Sequence, residues 1–287
     1  MTESSNAERF VVIGAGVMGH GIAQVAAMAG YDTILTDMNE AALDKGLAQI
    51  QANLDKGVER GKVEPSLREA ALKALAGSSD LEEAAGSASV VIEAVPEHLE
   101  LKLQLFESLG RITPPDCLLG SNTSSLSLTA IAGATTHPER VIGMHFFNPV
   151  HIVRLLEIVT ALQTSAETLE RAQAIGTALN REMIVVRDSP GFATSRLGLV
   201  IGLEAIRMLE SGVASAQDID RAMELGYRHP MGPLKLTDLV GLDTRLKIAE
   251  ALHRELGGEQ FRPPPLLRQM VRAGKLGKKS GQGFYDW

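Results

Sequence analysis

The stretch Phe10-Val-Val-Ile-Gly-Ala-Gly-Val-Met-Gly19 begins the ordered pattern of the chain and decides its fold. Its apolar start, Phe10–Ile13, is typical of a buried parallel strand, and its glycines fit G-x-G-x-x-G. An Ala-rich helical segment, 22–29, and a β-rich segment, 31–36, follow and end at Asp37. Glycines are common in turns, so the glycine pattern alone is a weak signal. Between a strand and a helix, with an acidic residue closing the next strand, it predicts a dinucleotide-binding βαβ unit.

Each position of this loop has a physical reason. Gly14 permits the tight turn, Gly16 lets the backbone approach a pyrophosphate, and Gly19 lets the helix lie close to the strand. The helix N-terminus offers unpaired N–H groups to the phosphates. The predicted cofactor-binding residues of the loop are Gly14, Gly16, Val17, Met18 and Gly19. Asp37 would accept hydrogen bonds from ribose hydroxyls and repel a 2′-phosphate, which predicts NAD rather than NADP.

The alternation of strands and helices continues to about residue 188. Apolar β-like runs occur at 89–95, 118–121, 141–144, 155–159 and 183–186. Residues 40–75 are polar and helical in character, with Gly57 and Gly61 as breaks, so we expect a protruding helical arm there. The pattern predicts an α/β fold, a Rossmann-type doubly wound sheet domain spanning residues 1–188.

From Ser189 onward the pattern changes to helices alone, which predicts an all-helical C-terminal domain over 189–287. Ser215 begins a capping-box-like start, and Pro233 and Pro264 suit first turns of helices. The segment Leu197–Leu209 has so little polar face that it belongs in a core or in a subunit interface. We therefore expect this domain to bind substrate and to form a homodimer.

Composition excludes several classes of function. The net charge of -7 argues against a nucleic-acid-binding protein. No apolar run approaches the length of a membrane helix. Cys117 is the only cysteine, and the polar start Met1–Arg9 does not resemble a signal or transit peptide, so we expect a cytoplasmic protein. No metal site is expected.

The segment His145-Phe-Phe-Asn-Pro149 resembles the L-3-hydroxyacyl-CoA dehydrogenase family, most of all its monofunctional 3-hydroxybutyryl-CoA dehydrogenases. Further matching segments follow in the family's order: Gly14–Gly19, Ile92–Val95, Ser121–Ser125, Asp188–Phe192, Pro230–Pro233 and Gly281–Tyr285. The resemblance spans nearly the whole chain. It implies reversible, NAD-dependent oxidation of an L-3-hydroxyacyl-CoA to the 3-ketoacyl-CoA, and a homodimer.

His145 and Glu157 form the catalytic pair that this resemblance implies. Oxidising an alcohol requires a base for the hydroxyl proton, and histidine has a suitable pKa. Glu157 lies in an apolar run, where a carboxylate is costly unless it has a partner. If the chain reverses near Asn148, Glu157 returns beside His145 and can orient its imidazole.

The resemblance also assigns roles outside this pair. Ser124 corresponds to a serine near the substrate oxygen, and Asn148 to a residue that orients substrate or the nicotinamide ribose. The remaining assignments are cofactor contacts by Glu97, Lys102 and Asn122, and contacts to CoA phosphates by Arg60 and Lys62. Glu97 and Lys102 equally fit a solvated helix start, and the two basic residues fit a solvated charged helix.

One position departs from the family pattern. Ser195 stands where family members usually carry Asn, which leaves one active-site contact open. Two other functions remain possible on this scaffold: a dehydrogenase of a CoA-free hydroxy acid, similar to L-gulonate 3-dehydrogenase, and a non-catalytic NAD-binding structural protein. An activity that strongly depends on CoA in the substrate would distinguish an acyl-CoA dehydrogenase from the first alternative. The joint presence of His145, Glu157 and Ser124 argues against the second, because a structural role needs none of them.

Overall fold

The computed structural model describes residues 8–287, which form two compact units that divide between Asp188 and Ser189. The polar stretch 1–7, on which part of the expectation about targeting depends, lies outside the described residues. Each unit has its own cluster of buried apolar side chains. Among residues 8–287, no helix combines the length and the apolar character that crossing a bilayer requires.

The first unit is built on one eight-stranded sheet with the order β3-β2-β1-β4-β5-β6-β7-β8. Its strands are β1 (Arg9–Ile13), β2 (Asp32–Thr36), β3 (Leu75–Ser78), β4 (Val90–Glu93), β5 (Leu118–Ser121), β6 (Val141–Phe146), β7 (Leu155–Thr160) and β8 (Glu182–Arg187). Neighbouring strands are parallel except β6 and β7, which are antiparallel. The strand order reverses between β1 and β4, the kind of switch point at which such sheets bind ligands.

Helices flank this sheet, and the Rossmann-type fold is confirmed. They are α1 (Val17–Met28), α2 (Glu40–Glu59), α3 (Pro65–Lys73), α4 (Leu81–Ala85), α5 (Leu99–Ile112), α6 (Leu128–Gly133) and α7 (Ala166–Ala178). Polar caps begin several of them. At the start of α2, for example, the Asn39 side chain accepts a hydrogen bond from the Ala42 N–H at 3.0 Å.

The predicted helical arm is the pair α2 and α3, with two differences. Gly57 does not break α2 but lies inside it. Glycine is needed there because a Cβ would come within 2.6 Å of the Val63 side chain, which packs against the helix. The break falls at Gly61, whose φ is +62°. Strand β3, just beyond the arm, was not predicted from the sequence.

The second unit is helical, as predicted. Its helices are α8 (Thr194–Glu210), α9 (Ala216–Gly226), α10 (Pro233–Val240), α11 (Leu242–Leu256) and α12 (Pro265–Arg272). Ser215 caps α9 by accepting from the Asp218 N–H at 3.1 Å, and Pro233 is the first residue of α10. Pro264 is the N-cap of α12, one residue before its first turn. In the described chain, only isolated β-bridges follow β8.

Candidate active site

The glycine loop after β1 has the geometry expected of a dinucleotide site. Gly14 has a φ of +99°, and a Cβ there would lie 2.8 Å from the Ala94 carbonyl oxygen. A Cβ on Gly19 would come within 1.6 Å of the Gly14 carbonyl oxygen, so only glycine lets α1 start this close to β1. A Cβ on Gly16 would meet no atom within 4 Å, and no side chain caps α1. A phosphate group therefore fits against the exposed N–H groups of this turn.

Asp37 follows β2 at the same edge of the sheet and is held by two backbone groups. Its Oδ2 accepts a hydrogen bond from the Ala15 N–H and its Oδ1 from the Asn39 N–H, both at 2.9 Å. The carboxylate is thus tied to the glycine loop. The exposed start of α1, Val17, and the partly buried Met18 lie in the same turn.

His145 and Glu157 meet across the antiparallel pair of β6 and β7, as the reversal near Asn148 predicted. The two residues are directly opposite in the strand register, and His145 Nδ1 lies 2.7 Å from Glu157 Oε2. Glu157 is fully buried and His145 nearly so. A carboxylate can only accept a hydrogen bond, so Nδ1 carries the N–H and donates it to Glu157. In this tautomer of the neutral imidazole, the lone pair is on Nε2.

Glu97 holds the loop 122–125 that follows β5. Its Oε1 accepts hydrogen bonds from Thr123 Oγ1 at 2.6 Å, from the Ser124 N–H at 2.9 Å and, less closely, from Ser124 Oγ at 3.3 Å. Burial alone would raise the pKa of Glu97, but the Lys102 ammonium and these hydrogen bonds together hold the pKa below its ordinary value. The site therefore presents Glu97 as an ionised acceptor.

Lys102 is not part of a solvated helix start. Its side chain is 1% exposed, and its Nζ lies 2.5 Å from Glu93 Oε1 and 3.3 Å from Glu97 Oε2. Glu93, the last residue of β4, is fully buried and also accepts a hydrogen bond from Ser121 Oγ at 2.7 Å. Sequence reasoning missed Glu93 and Ser121. The sequence did carry a signal for Glu93. It is a carboxylate at the end of an apolar strand, just as Glu157 is a carboxylate inside one.

Two predicted asparagines are associated with the strand that carries His145: Asn122 bonds to it and Asn148 follows it in the chain. Asn122 Oδ1 accepts a hydrogen bond from the Phe146 N–H at 2.9 Å, so it ties the end of β5 to the end of β6. Asn148 is exposed and precedes a cis peptide bond to Pro149. The first unit thus gathers Asn122, Ser124 and His145 at the carboxyl ends of parallel strands β5 and β6, the usual ligand edge of such a sheet.

A basic cleft of about 640 Å³ in the first unit is lined by residues of α1, of α2 and the turn after it, of the segment before β7 and of the end of α7. Arg60 and Lys62 both line it, with further basic residues that the sequence did not single out: Lys56, His151, Arg154 and Arg181. Its polar lining also includes Asn53 of α2. Burial lowers the pKa of His151 and favours its neutral form, so the five lysines and arginines of the lining make the cleft suitable for an anion with several phosphate groups.

Ser195 belongs to the second unit, where it is half-buried in the first turn of α8. Its neighbour Arg196 places its guanidinium 5.5 Å from the centre of the Phe261 ring. The role of Ser195 in the reaction stays a prediction.

Family comparisons cover both units. The profile described as 3-hydroxyacyl-CoA dehydrogenase, NAD binding domain, matches residues 9–189, and the C-terminal domain profile of the same family matches residues 191–287. A probable 3-hydroxybutyryl-CoA dehydrogenase of Bacillus subtilis is 45% identical over 280 residues, which is 98% of this chain and 97% of the relative.

Two further relatives extend the comparison. The crystal structure of (S)-3-hydroxybutyryl-CoA dehydrogenase PaaH1 from Ralstonia eutropha has a TM-score of 0.94 at 38% identity, with 98% of this chain and 99% of that chain covered. A 3-hydroxyadipyl-CoA dehydrogenase of Escherichia coli is 41% identical over 98% of this chain and 59% of the relative.

Proposed function

Because the chain belongs to the 3-hydroxyacyl-CoA dehydrogenase family and is an NAD-dependent enzyme, we propose that it oxidises the 3-hydroxyl group of short-chain L-3-hydroxyacyl-CoA, with 3-hydroxybutyryl-CoA as the representative substrate. The product is the 3-ketoacyl-CoA, and the reaction is reversible. The observation that carries the proposal is the hydrogen bond of 2.7 Å between His145 and Glu157, at the sheet edge that also bears the dinucleotide loop.

His145 acts as the general base. The hydroxyl proton of the substrate passes to Nε2, while Glu157 holds Nδ1 and fixes the tautomer. The buried carboxylate then stabilises the imidazolium that forms, because opposite charges attract more strongly away from water. In the reverse direction the same imidazolium returns the proton to the oxygen.

Ser124 donates a hydrogen bond to the substrate oxygen as it becomes a carbonyl. In the structure its hydroxyl makes only a long contact of 3.3 Å to Glu97 Oε1, which already has closer donors. Rotating the hydroxyl toward a substrate therefore costs little. The backbone bond from Ser124 to Glu97 keeps the loop in place during this rotation.

The first unit supplies the cofactor site. Bound NAD would supply the hydride acceptor for the reaction. The turn at Gly14 and Gly16 would hold its pyrophosphate, and Asp37 would accept hydrogen bonds from the adenine-side ribose. Glu97 and Asn122 follow the ends of β4 and β5, where the nicotinamide end of a dinucleotide would be held, and Lys102 on α5 holds Glu97 from behind.

The basic cleft binds the phosphates of CoA. The five lysine and arginine side chains that line it, Lys56, Arg60, Lys62, Arg154 and Arg181, give it the charge that a nucleotide with three phosphate groups requires. A CoA-free hydroxy acid needs no such cleft, and this favours a thioester over the alternative substrate. Exchanging Arg60 for Gln should raise KM for an acyl-CoA about tenfold and leave KM for the matching acyl-pantetheine unchanged.

Lys45→Gln is the matched control for Arg60→Gln. Lys45 is an exposed cation on α2, the helix that Arg60 follows, and it does not line the cleft. An equal rise in both KM values, or none in either, would remove Arg60 from CoA binding.

We also propose a homodimer formed by the second unit. One face of α8 is buried, but Leu197 and Ile201 are 65% and 37% exposed, and on α10 Leu239 and Val240 are exposed as well. Exposed apolar side chains on two helices of one small domain are what a subunit interface would cover.

The decisive test of function is NADH formation with a panel of L-3-hydroxyacyl-CoA substrates of increasing chain length. The panel includes the D-enantiomer, the ω-carboxylate substrate 3-hydroxyadipyl-CoA, free 3-hydroxybutyrate and L-gulonate. The proposal predicts the highest kcat/KM for the short L-3-hydroxyacyl thioesters and none for the free acids. Oxidation of a free acid without CoA, or no oxidation of any thioester, would refute it.

A further inference from the structure

Glu93 is a buried carboxylate with three donors and no exposure to a ligand. Its Oε1 accepts hydrogen bonds from the Val95 N–H at 2.8 Å and from Lys102 Nζ at 2.5 Å, and its Oε2 accepts one from Ser121 Oγ at 2.7 Å. The residues before it in β4, Val90–Ile92, are apolar and fully buried. An apolar residue at this position would avoid the cost of burying a charge, so the carboxylate calls for a specific reason.

Lys102 links Glu93 to a second carboxylate. Its Nζ lies 3.3 Å from Glu97 Oε2 and 3.4 Å from the Val95 carbonyl oxygen. Glu97 is partly exposed, whereas Lys102 and Glu93 are not. A lysine ammonium this deeply buried needs a counter-charge beside it, and Glu93 provides it at the shorter distance.

Both side-chain partners of Glu93, Lys102 and Ser121, lead to the same loop, 122–125. Through Lys102 the connection reaches Glu97, whose Oε1 accepts hydrogen bonds from Thr123 and Ser124. Through Ser121 it is more direct, because Ser121 Oγ accepts a hydrogen bond from the Thr123 N–H at 3.2 Å. Two independent routes therefore connect one buried carboxylate to the loop that carries the proposed substrate serine.

We propose that Glu93 is a positioning residue for the dehydrogenase reaction: by holding Lys102 and Ser121 it fixes Glu97 and the loop 122–125, and thereby the nicotinamide end of the cofactor site and the Ser124 hydroxyl. The part that concerns Ser124 rests on the proposed substrate reaction, whereas the part that concerns the cofactor rests only on the proposed nicotinamide site. Glu93 itself touches neither cofactor nor substrate. Without its charge, Lys102 moves toward Glu97 and pulls this carboxylate away from the loop.

The test replaces the charge while keeping the shape. Glu93→Gln should weaken NADH binding, measured by NADH fluorescence, about tenfold, the size of one lost hydrogen bond to a charged group. It should also lower kcat about tenfold or more, because a small displacement of a catalytic group has effects of this size. Glu93→Asp keeps the charge and should lie closer to the wild type than Glu93→Gln in both measurements, whereas a purely structural role would rank the variants by melting temperature alone.

The matched control is Glu107→Gln, which removes an exposed carboxylate from α5 that pairs only with Arg111, and should leave NADH binding and kcat unchanged. If Glu93→Gln does not fold, Ser121→Ala removes one donor to Glu93 without touching a charge and should weaken NADH binding about threefold. If Glu93→Gln folds and binds NADH as tightly as the wild type, the proposal is wrong. If Glu93→Gln does not fold, wild-type NADH binding by Ser121→Ala overturns it instead. A wild-type chain that binds NADH but oxidises no acyl-CoA refutes the proposed function instead, and the NADH measurement still decides the role of Glu93.

Discussion

At the residue scale, buried or hydrogen-bonded carboxylates hold the segments of the candidate site in place. Asp37 is tied to the glycine loop, Glu97 to the loop 122–125, and Glu157 to His145, each by hydrogen bonds below 3 Å. A carboxylate accepts several donors at once, so a single side chain can join two segments that are far apart in sequence. Replacing one of these carboxylates by its amide (Asp by Asn, or Glu by Gln) should therefore loosen the segments that it joins.

Asp37 should decide the choice of cofactor. Its charge would face the 2′-phosphate of NADP, and like charges in contact cost several kcal/mol. We expect kcat/KM with NAD to exceed that with NADP, and Asp37→Ala to lower this ratio on the order of 10²-fold. The ratio isolates the charge, because the lost hydrogen bonds to Ala15 and Asn39 weaken both cofactors alike.

Steady-state kinetics with both cofactors checks this expectation, with Asp44→Ala on the exposed face of α2 as the control. Equal use of the two cofactors by the wild type would contradict the assignment of Asp37.

Ser195 should be a tolerated departure from the family. Serine, like asparagine, can donate and accept a hydrogen bond but reaches less far, and a water can bridge the difference. Ser195→Asn should therefore keep kcat within about tenfold of the wild type, which corresponds to roughly 1.4 kcal/mol. A gain of several orders of magnitude on 3-hydroxybutyryl-CoA would show that the natural substrate is a different one.

At the element scale, the fold follows closely from local patterns. The predicted apolar runs correspond to β1, β2 and β4–β8 because each is bounded by turns and most are buried on both faces. Strand β3 was missed because Leu75–Ser78 contains Ala and Gly and pairs on one side only, at the sheet edge. Local composition does not reveal such an edge strand.

The site was predictable where the family resemblance and the local sequence agree. The resemblance implied the pair His145 and Glu157, and it fits the sequence because a carboxylate in an apolar strand needs a partner and one reversal of the chain supplies it. The contact between Glu93 and Lys102 could not be predicted, because it depends on how α5 packs against the end of β4, which only the folded structure reveals. The basic cleft likewise combines residues of α2 with residues more than ninety positions later, such as Arg154.

The C-terminal tail is held by two buried carboxylates, Asp220, which accepts a hydrogen bond from the Tyr285 hydroxyl at 2.8 Å, and Asp238. Asp238 of α10 is fully buried and accepts hydrogen bonds from the N–H groups of Phe284 and Tyr285 at 2.9 Å and from Trp287 Nε1 at 3.0 Å. Gly277 and Gly283 pack so closely on it that a Cβ at either would lie 2.2 Å or less from its atoms.

Asp238→Asn turns one acceptor into a donor that faces N–H groups, and should lower the free energy of unfolding by about 1–3 kcal/mol. Urea denaturation measures this loss. The exposed Asp286→Asn is the control and should change the free energy by no more than about 0.5 kcal/mol. Equal stability of both variants would show that Asp238 does not hold the tail.

At the scale of the whole molecule, we expect a dimer. The exposed apolar face of the second unit should be covered by a second copy, and Leu197→Lys should give monomers because it places a charge in that face. Leu162→Lys, at a 91% exposed position of the first unit, should leave the dimer intact. Light scattering distinguishes these outcomes, and a wild-type monomer at working concentration would contradict the dimer.

The most direct test of the central claim is kcat of His145→Ala with L-3-hydroxybutyryl-CoA and NAD, measured beside NADH affinity. The claim is that His145, oriented by Glu157, takes the hydroxyl proton of an acyl-CoA substrate. The variant should lose about 10²–10⁴-fold in kcat, the usual contribution of a general base, and bind NADH as the wild type does. His137→Ala, at an exposed histidine, should keep full activity. A His145→Ala variant with near-normal kcat would contradict the account.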